Sequence, residues 1–206
     1  MHTPEKEKMN DIQAVRRFIE QNGFALLASP TLDATHLPLQ IAPEEGKLGT
    51  LYGHISRANI QSKFGDGDEV LAVFTGPHSY ISPTWYDASP VAVPTWNYAA
   101  VHCLGHLKQL HEEETLRQVK QLIAQYEPRL LNDHERMPEH YIQGLLKGII
   151  GFKIIISRID AREKLGQHRN QADQAGVFRS LRMSNNSDAT ALANYMSERN
   201  VGTGED

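Results

Sequence analysis

The residues best suited to bind a ligand are concentrated between Tyr80 and Tyr98. This stretch holds both tryptophans of the chain, three tyrosines and three prolines, in the runs Tyr-Ile-Ser-Pro-Thr-Trp-Tyr and Val-Pro-Thr-Trp-Asn-Tyr. Aromatic rings offer stacking area, while the hydroxyl and amide groups of Ser, Thr and Asn can fix the orientation of a bound molecule. The composition favours a pocket for a flat aromatic ligand over the alternative, a proline-rigidified loop with two structural tryptophans.

A second candidate site follows a predicted strand at Leu48–Gly53. Ser56 and Arg57 come soon after it, with Asn59 two residues further on. A short helix from Arg57 to about Phe64 would leave free backbone N–H groups at its start, and these groups with the three side chains would cradle a phosphate. The alternative is an ordinary serine cap followed by a solvated arginine.

A third group, His102, Cys103 and His106, resembles a metal-binding pattern. On a strand, however, successive side chains point to opposite faces, so Cys103 would point away from both histidines. The two histidine Cβ atoms would lie about 13 Å apart at about 3.3 Å per residue. Because no second cysteine completes a ligand set, no metal site is predicted. The same alternation argues against a Cys–His nucleophile pair, and no catalytic residue is assigned.

A modest basic cluster lies towards the C-terminal end, between Arg158 and Arg169. It includes Lys164 in the run Lys-Leu-Gly-Gln-His-Arg. Two interpretations remain open, a solvated strand edge and a second contact for an anion.

The composition narrows the class of protein. The chain has 206 residues, 40% of them apolar and 22% charged, with a formal net charge of −4. An acidic balance does not favour a surface for nucleic-acid backbones, and no apolar run is long enough to span a bilayer. The N-terminal residues lack the apolar core of a signal peptide, and a single cysteine suits a reducing compartment. We therefore expect a cytoplasmic protein without a membrane span.

Hydrophobic periodicity and turn residues predict mainly β structure with helical additions. Strands are predicted at Phe24–Ser29, His36–Ile41, Leu48–Gly53, Glu69–Thr75, Ala99–Leu110 and Gly151–Ile156. Helices are predicted after Asp11 and at Glu112–Tyr126, Met137–Lys147 and Gln171–Leu181. Many short strands suggest a small β-barrel with outer helices. The predicted organisation is one domain over 1–182, with a helical insertion at about 112–148, followed by a flexible tail over 183–206.

The order of these motifs resembles the PaiB-like FMN-binding family of negative transcriptional regulators. The resemblance depends mainly on Tyr-x-Ser-Pro-x-Trp-Tyr at 80–86 and Val-Pro-Thr-Trp-Asn-Tyr-x-x-Val-His at 93–102. A closing strand and Lys-Leu-x-Gln-x-Arg at 164–169 follow. The family belongs to the flavin split-barrel superfamily, whose other members include pyridoxamine-phosphate oxidases and flavin reductases.

The resemblance implies an α+β fold built on a six-stranded antiparallel split barrel. It also implies a homodimer with FMN at the subunit interface. The implied FMN contacts are Tyr52 and His54 beside the ribityl chain, Ser56, Arg57 and Asn59 at the phosphate, Tyr80, Trp85, Trp96 and Asn97 around the isoalloxazine, and Lys164 and Arg169 near its polar edge. One departure weakens the expected phosphate clamp: many phosphate-oxidising relatives place two basic residues together after the serine, whereas here Ala58 follows Arg57.

Three functions follow from this resemblance. The first is an FMN-binding regulator or flavin sensor. The second is an FMN-dependent oxidoreductase acting on an unidentified small substrate. The third is a haem-binding or haem-degrading split barrel, for which His168 is the nearest candidate for an iron ligand. The sequence shows no clear helix-turn-helix, so any DNA binding is expected to use another element.

Overall fold

The computed structural model describes residues 1–63 and 65–205. The chain, expected to form one domain over 1–182, divides into two compact units. Unit 1 contains Met1–Val15, Thr75–Val101 and Asp160–Asp206, and unit 2 contains Arg16–Phe74 and His102–Ile159.

The described residues form seven strands rather than the six predicted. They are β1 Phe24–Ala28, β2 Ala34–Pro38, β3 Gln40–Ala42, β4 Thr50–Ser56, β5 Glu69–Ile81, β6 Thr95–Gln109 and β7 Ile149–Lys164. Their order in the sheet is β2-β1-β5-β6-β7-β4-β3. The extra strand arises because the predicted strand His36–Ile41 divides at Leu39. The backbone N–H of Leu39 donates a hydrogen bond to the carbonyl of Gly23 at 2.8 Å.

The following strand pairs are antiparallel: β1 with β2 and with β5, β3 with β4, and β4 with β7. β2 and β3 are at opposite ends of the strand order, and only Leu39 separates them along the chain. The core of unit 2 includes the fully buried Leu27, Leu51, Phe74 and Ile154.

Two helices of unit 2 fall in the predicted insertion at 112–148. These are α2 Glu112–Tyr126 and α3 Glu139–Leu146. Thr115 of α2 packs on Gly151 of β7, where any side chain would collide with the threonine. The insertion is therefore seated directly on the sheet.

Helix α1 spans Ile12–Gln21 and begins as predicted, because the carboxylate of Asp11 accepts a hydrogen bond from the Gln13 N–H at 2.9 Å. Unit 1 contains α4 Gln171–Arg182 and α5 Ser187–Arg199. No helix among residues 1–63 and 65–205 is long and apolar enough to cross a membrane.

The prediction of a flexible tail is wrong for residues 183–205, and Asp206 lies outside the described residues. Helix α5 buries Leu192 and Met196 completely, on one face at a spacing of four residues. Tyr195 and Arg199 bind the buried carboxylate of Glu163 on β7, at 2.5 and 2.6 Å. The polar composition of this stretch belongs to the exposed face of the helix, and that concealed its apolar face from a compositional argument.

Candidate functional site

The residues predicted to contact FMN fall into two groups. Unit 2 contains Tyr52, His54, Ser56, Arg57 and Asn59. Unit 1 contains Tyr80, Trp85, Trp96, Asn97, Lys164 and Arg169.

The turn after β4 does not form the predicted phosphate cradle of backbone N–H groups. Ser56 ends β4, and the next regular element is a four-residue 3-10 turn at Ile60–Lys63, while Phe64 lies outside the described residues. The N–H of Arg57 donates to the carbonyl of Gly148 at 3.0 Å, and that of Asn59 to the carbonyl of Ser56 at 3.0 Å. The Ser56 hydroxyl accepts the remaining N–H, that of Ala58, at 3.2 Å. These donors are occupied because the β4–β7 ladder continues past Ser56 and the turn then closes on itself.

Asn59 supports the turn rather than pointing a free amide outward. Its Oδ1 accepts a hydrogen bond from the Gln61 N–H at 2.9 Å, and its Nδ2 donates to Thr35 Oγ1 at 3.0 Å. Gln61 is itself buried, and its amide donates to the carbonyls of Leu27 and Asp33. The asparagine therefore fixes the turn against neighbouring strands.

Arg57 is the member of this group that remains available to a ligand. Its Nε donates to the backbone carbonyl of Lys147 at 2.9 Å. Its two terminal nitrogens have no hydrogen-bond partner among the described residues, and the side chain is exposed. It lines a cavity of about 330 Å³ together with Lys147, Gln109 and Glu112. An unpartnered guanidinium on a cavity suits the phosphate of FMN.

Tyr52 and His54 lie beside α2 in a narrow cleft of about 10 Å³, which has room for little more than one water molecule. The Tyr52 hydroxyl donates to Glu45 Oε2 at 2.5 Å. Burial, followed by the Glu45 carboxylate, raises the pKa of the Tyr52 phenol well above its usual range. Burial lowers the pKa of His54, so its imidazole is neutral at pH 7. The tyrosine thus has a structural partner already.

Unit 1 presents an exposed aromatic group formed by His78, Tyr80 and Trp96. The Tyr80 and Trp96 side chains are about half exposed, at 47% and 49%, and their rings meet edge to face at 6.3 Å. The His78 ring lies 6.0 Å from the Trp96 ring. His78 Nδ1 is buried and has no hydrogen-bond partner among the described residues. The half-exposed rings of Tyr80 and Trp96 offer stacking area that suits the ring system of a flavin.

Sequence reasoning missed His78, although a signal was present. His78 and Tyr80 are two residues apart on β5, and side chains at that spacing share one face of a strand. By the same alternation, Asn97 lies on the opposite face of β6 from Trp96. Its side chain is buried, with an exposure of 3%. Asn97 is therefore separated from the aromatic group that its position in the sequence suggested.

Trp85 belongs to a loop that α4 holds in place. The loop residues Ala88 and Ser89 donate their backbone N–H groups to Asp173 Oδ1 at 2.8 and 3.1 Å. The Ser89 hydroxyl donates to the other carboxylate oxygen. Gly176 of α4 lies directly against the carbonyl of Trp85, where a Cβ would collide. The tryptophan is positioned through these contacts.

The two basic candidates of unit 1 already make short contacts. Lys164 Nζ donates to Thr95 Oγ1 at 2.5 Å, and the Arg169 guanidinium lies 4.6 Å from the centre of the Tyr86 ring. Burial lowers the pKa of Lys164. Burial, followed by the charges of Lys6 and Arg169, also lowers the pKa of His168. His168 is therefore an uncharged imidazole at pH 7.

Comparison with known proteins shows the family to which the chain belongs. A family model described as "Putative FMN-binding domain" matches residues 1–158. The chain is 32% identical over 205 residues to the protease synthase and sporulation protein PAI 2 of Bacillus subtilis, covering 97% of this chain and 98% of that protein. It is 29% identical to an uncharacterized protein of Emericella nidulans, covering 91% and 93% of the two chains.

Two solved structures share the fold at low sequence identity. The flavocytochrome Anf3 from Azotobacter vinelandii has a TM-score of 0.60 at 14% identity, covering 79% of this chain and 72% of its own. The FAD and heme binding protein from Mycobacterium smegmatis has a TM-score of 0.56 at 9% identity, covering 77% and 73%. These likenesses confirm the predicted α+β split-barrel fold. The match of the family model over most of the chain confirms the resemblance drawn from the motifs: this protein belongs to the FMN-binding family that the model describes, and its cofactor is FMN.

Proposed function

We propose that this protein is a regulatory flavoprotein, a homodimer that senses FMN or its redox state and acts on gene expression through that state. The observation that carries the proposal is the pair of half-exposed rings of Tyr80 and Trp96, with the His78 ring beside them. The regulatory part is supported by the name of the Bacillus subtilis relative, which is called a protease synthase and sporulation protein. FMN when bound would supply one- and two-electron redox chemistry.

The aromatic group accounts for recognition of the flavin ring. Covering Tyr80 and Trp96 with a flat ring removes apolar surface from water and adds stacking worth about 0.5–1.5 kcal/mol per aromatic pair. The His78 ring, 6.0 Å from the Trp96 ring, extends the aromatic surface on the same side.

Arg57 accounts for the preference for FMN over riboflavin. Its terminal nitrogens face a cavity of about 330 Å³ and carry a full positive charge. A phosphate oxygen pair accepts from a guanidinium in two parallel hydrogen bonds, which are stronger than neutral ones. Riboflavin has no phosphate and cannot make this contact, so we expect the protein to bind FMN more tightly than riboflavin.

The homodimer is inferred from the exposed apolar side chains of unit 1. Val91, Val93 and Trp96 are 90%, 72% and 49% exposed, all within one segment. Clusters of exposed apolar side chains commonly mark interaction surfaces. A second copy of the chain would cover them, and sedimentation of the apoprotein would detect a dimer of twice 23.2 kDa.

The test is a titration of the purified protein with FMN and, separately, with riboflavin, following flavin fluorescence. Trp96→Ala should weaken the binding of both flavins, because it removes ring stacking. Arg57→Ala should weaken FMN about tenfold, the effect of one charge-assisted hydrogen bond, and leave riboflavin unchanged. Lys47→Ala, an exposed lysine of unit 2, is the control and should change neither. Failure of the wild-type protein to bind either flavin would refute the proposal, and bound flavin that turns over a small substrate would favour an oxidoreductase instead.

A second candidate function is haem binding at His168. The lowered pKa of His168 keeps its imidazole neutral, the form that ligates iron, and the two structural relatives named above are a flavocytochrome and a heme-binding protein. Haem titration should then give a Soret band that His168→Ala shifts or abolishes. An unshifted band in that variant would exclude His168 as the ligand.

A further inference from the structure

The register of β4 and β7 places a second cation beside Arg57. In this antiparallel pair Ile55 lies opposite Ile150 and Ser56 opposite Ile149. The next pair in the same register is Arg57 with Gly148, and the Arg57 N–H does donate to the Gly148 carbonyl at 3.0 Å. Lys147, the residue before Gly148, therefore lies next to Arg57, although 90 residues separate the two along the sequence.

A side-chain contact holds the two residues together. Arg57 Nε donates to the Lys147 carbonyl at 2.9 Å. This bond uses the nitrogen nearest the chain and leaves the outer edge of the guanidinium, with its two terminal nitrogens, free to bind. Both side chains are exposed, and both line the cavity of about 330 Å³. Neither one forms an ion pair among the described residues.

The cavity has a positive balance of charge. Arg57 and Lys147 contribute two cations, and Glu112 contributes one carboxylate from the first turn of α2. Gln109 adds an amide to the lining. Two cations side by side suit a doubly charged phosphate monoester better than a singly charged anion, because each negative charge then has its own partner.

We propose that Lys147 is the second cation of the phosphate clamp and that it binds the phosphate monoester of FMN together with Arg57. This inference rests on the proposed flavin-binding function. Here the second charge comes from the end of α3, so the helical insertion contributes directly to the cofactor site.

The experiment compares FMN with riboflavin on three variants. Lys147→Ala should lower the affinity for FMN about tenfold and leave the affinity for riboflavin unchanged. Lys147→Arg keeps the charge and should retain most of the FMN affinity. Glu112→Gln removes the opposing carboxylate and should strengthen FMN binding by a few-fold. Lys47→Ala, away from the cavity, is the matched control. Because Lys147 is exposed, circular dichroism should show that each variant keeps the wild-type fold.

The outcomes separate this inference from the function on which it rests. If Arg57→Ala weakens FMN and Lys147→Ala does not, the flavin site stands and the role of Lys147 is wrong. If the wild-type protein binds neither flavin, both proposals fail. Inorganic phosphate supplies the last comparison: if Lys147→Ala weakens binding of free phosphate but not of FMN, the cavity is an anion site unrelated to the flavin, and the inference is overturned.

Discussion

The turn at residues 57–63 in unit 2 and the loop at residues 85–89 in unit 1 both carry candidate flavin contacts, yet they are held in different ways. In the turn, Ser56 and Asn59 accept backbone N–H groups from residues two positions further along. The loop is held mainly from outside, by the α4 residues Asp173 and Gly176. A short-range pattern can be read in a sequence, whereas a long-range one depends on the fold.

The difference extends to what each region leaves exposed. The turn uses its backbone donors internally and presents the charged Arg57 to a cavity. The loop depends on a buried charge, since Asp173 is fully buried and accepts hydrogen bonds from Ala88, Ser89 and Asn170. Burial raises the pKa of Asp173, but these hydrogen bonds outweigh it and hold the pKa below its usual range. The carboxylate is therefore ionised and fully used in structure.

The largest expected effect is that of Asp173→Ala. It would leave the Ala88 N–H, the Ser89 N–H and the Ser89 hydroxyl without an acceptor. We expect the free energy of unfolding to fall by about 3 kcal/mol, from several unmade buried hydrogen bonds, as measured by urea denaturation. Arg179→Ala is the control, because it removes only an exposed ion pair with Asp87 and should cost at most about 0.5 kcal/mol. Equal losses in the two variants would show that the buried carboxylate does not hold the loop.

The same carboxylate gives the loop a pH dependence with a definite sign. Because the folded pKa of Asp173 is lowered, its ionised form stabilises the fold at every pH above the unfolded value of about 3.9. That stability is lost as the pH falls through the lower, folded-state pKa. The difference in unfolding free energy between the wild type and Asp173→Asn should be constant near neutral pH and shrink in acid. A difference that grows in acid would mean that the folded carboxyl is protonated.

Two glycine substitutions should change the free energy of unfolding in opposite directions. Gly176→Ala would push a methyl group into the Trp85 carbonyl and against Asp87, and we expect a loss of about 2 kcal/mol from overpacking. Gly144→Ala in α3 meets nothing within 4 Å and should gain about 0.5–1 kcal/mol from helix propensity. Thermal unfolding of both variants measures the pair. If Gly176→Ala also stabilises the protein, α4 does not press on the loop.

A smaller loss of stability than those of Asp173→Ala and Gly176→Ala is expected in the turn. Asn59→Ala removes one acceptor for the Gln61 N–H and one donor to Thr35, and we expect a loss of about 1 kcal/mol. Asn59→Asp keeps the acceptor and should recover part of that loss. Urea denaturation of the two variants tests the assignment, which would be wrong if the aspartate variant were the less stable of the two.

Much of the fold could be predicted because it depends on short-range patterns. The cap at Asp11, the apolar stripe of α1 and the insertion helices α2 and α3 all follow from residues a few positions apart. Strand ends were less accurate: β5 runs to Ile81 although the prediction stopped at Thr75, because Gly76 and Pro77 are poor strand formers.

The sequence by itself determined the aromatic composition of 80–98, the positive charge of Arg57 and the family to which the chain belongs. Only the tertiary structure decided that Lys147 lies beside Arg57, that Asp173 holds the loop at 85–89 and that His78 joins Trp96. Residue type and periodicity are properties of neighbours along the chain, so they can be read directly. Strand register and helix docking bring together residues that are 85 or 90 positions apart, and that choice depends on how the whole core packs.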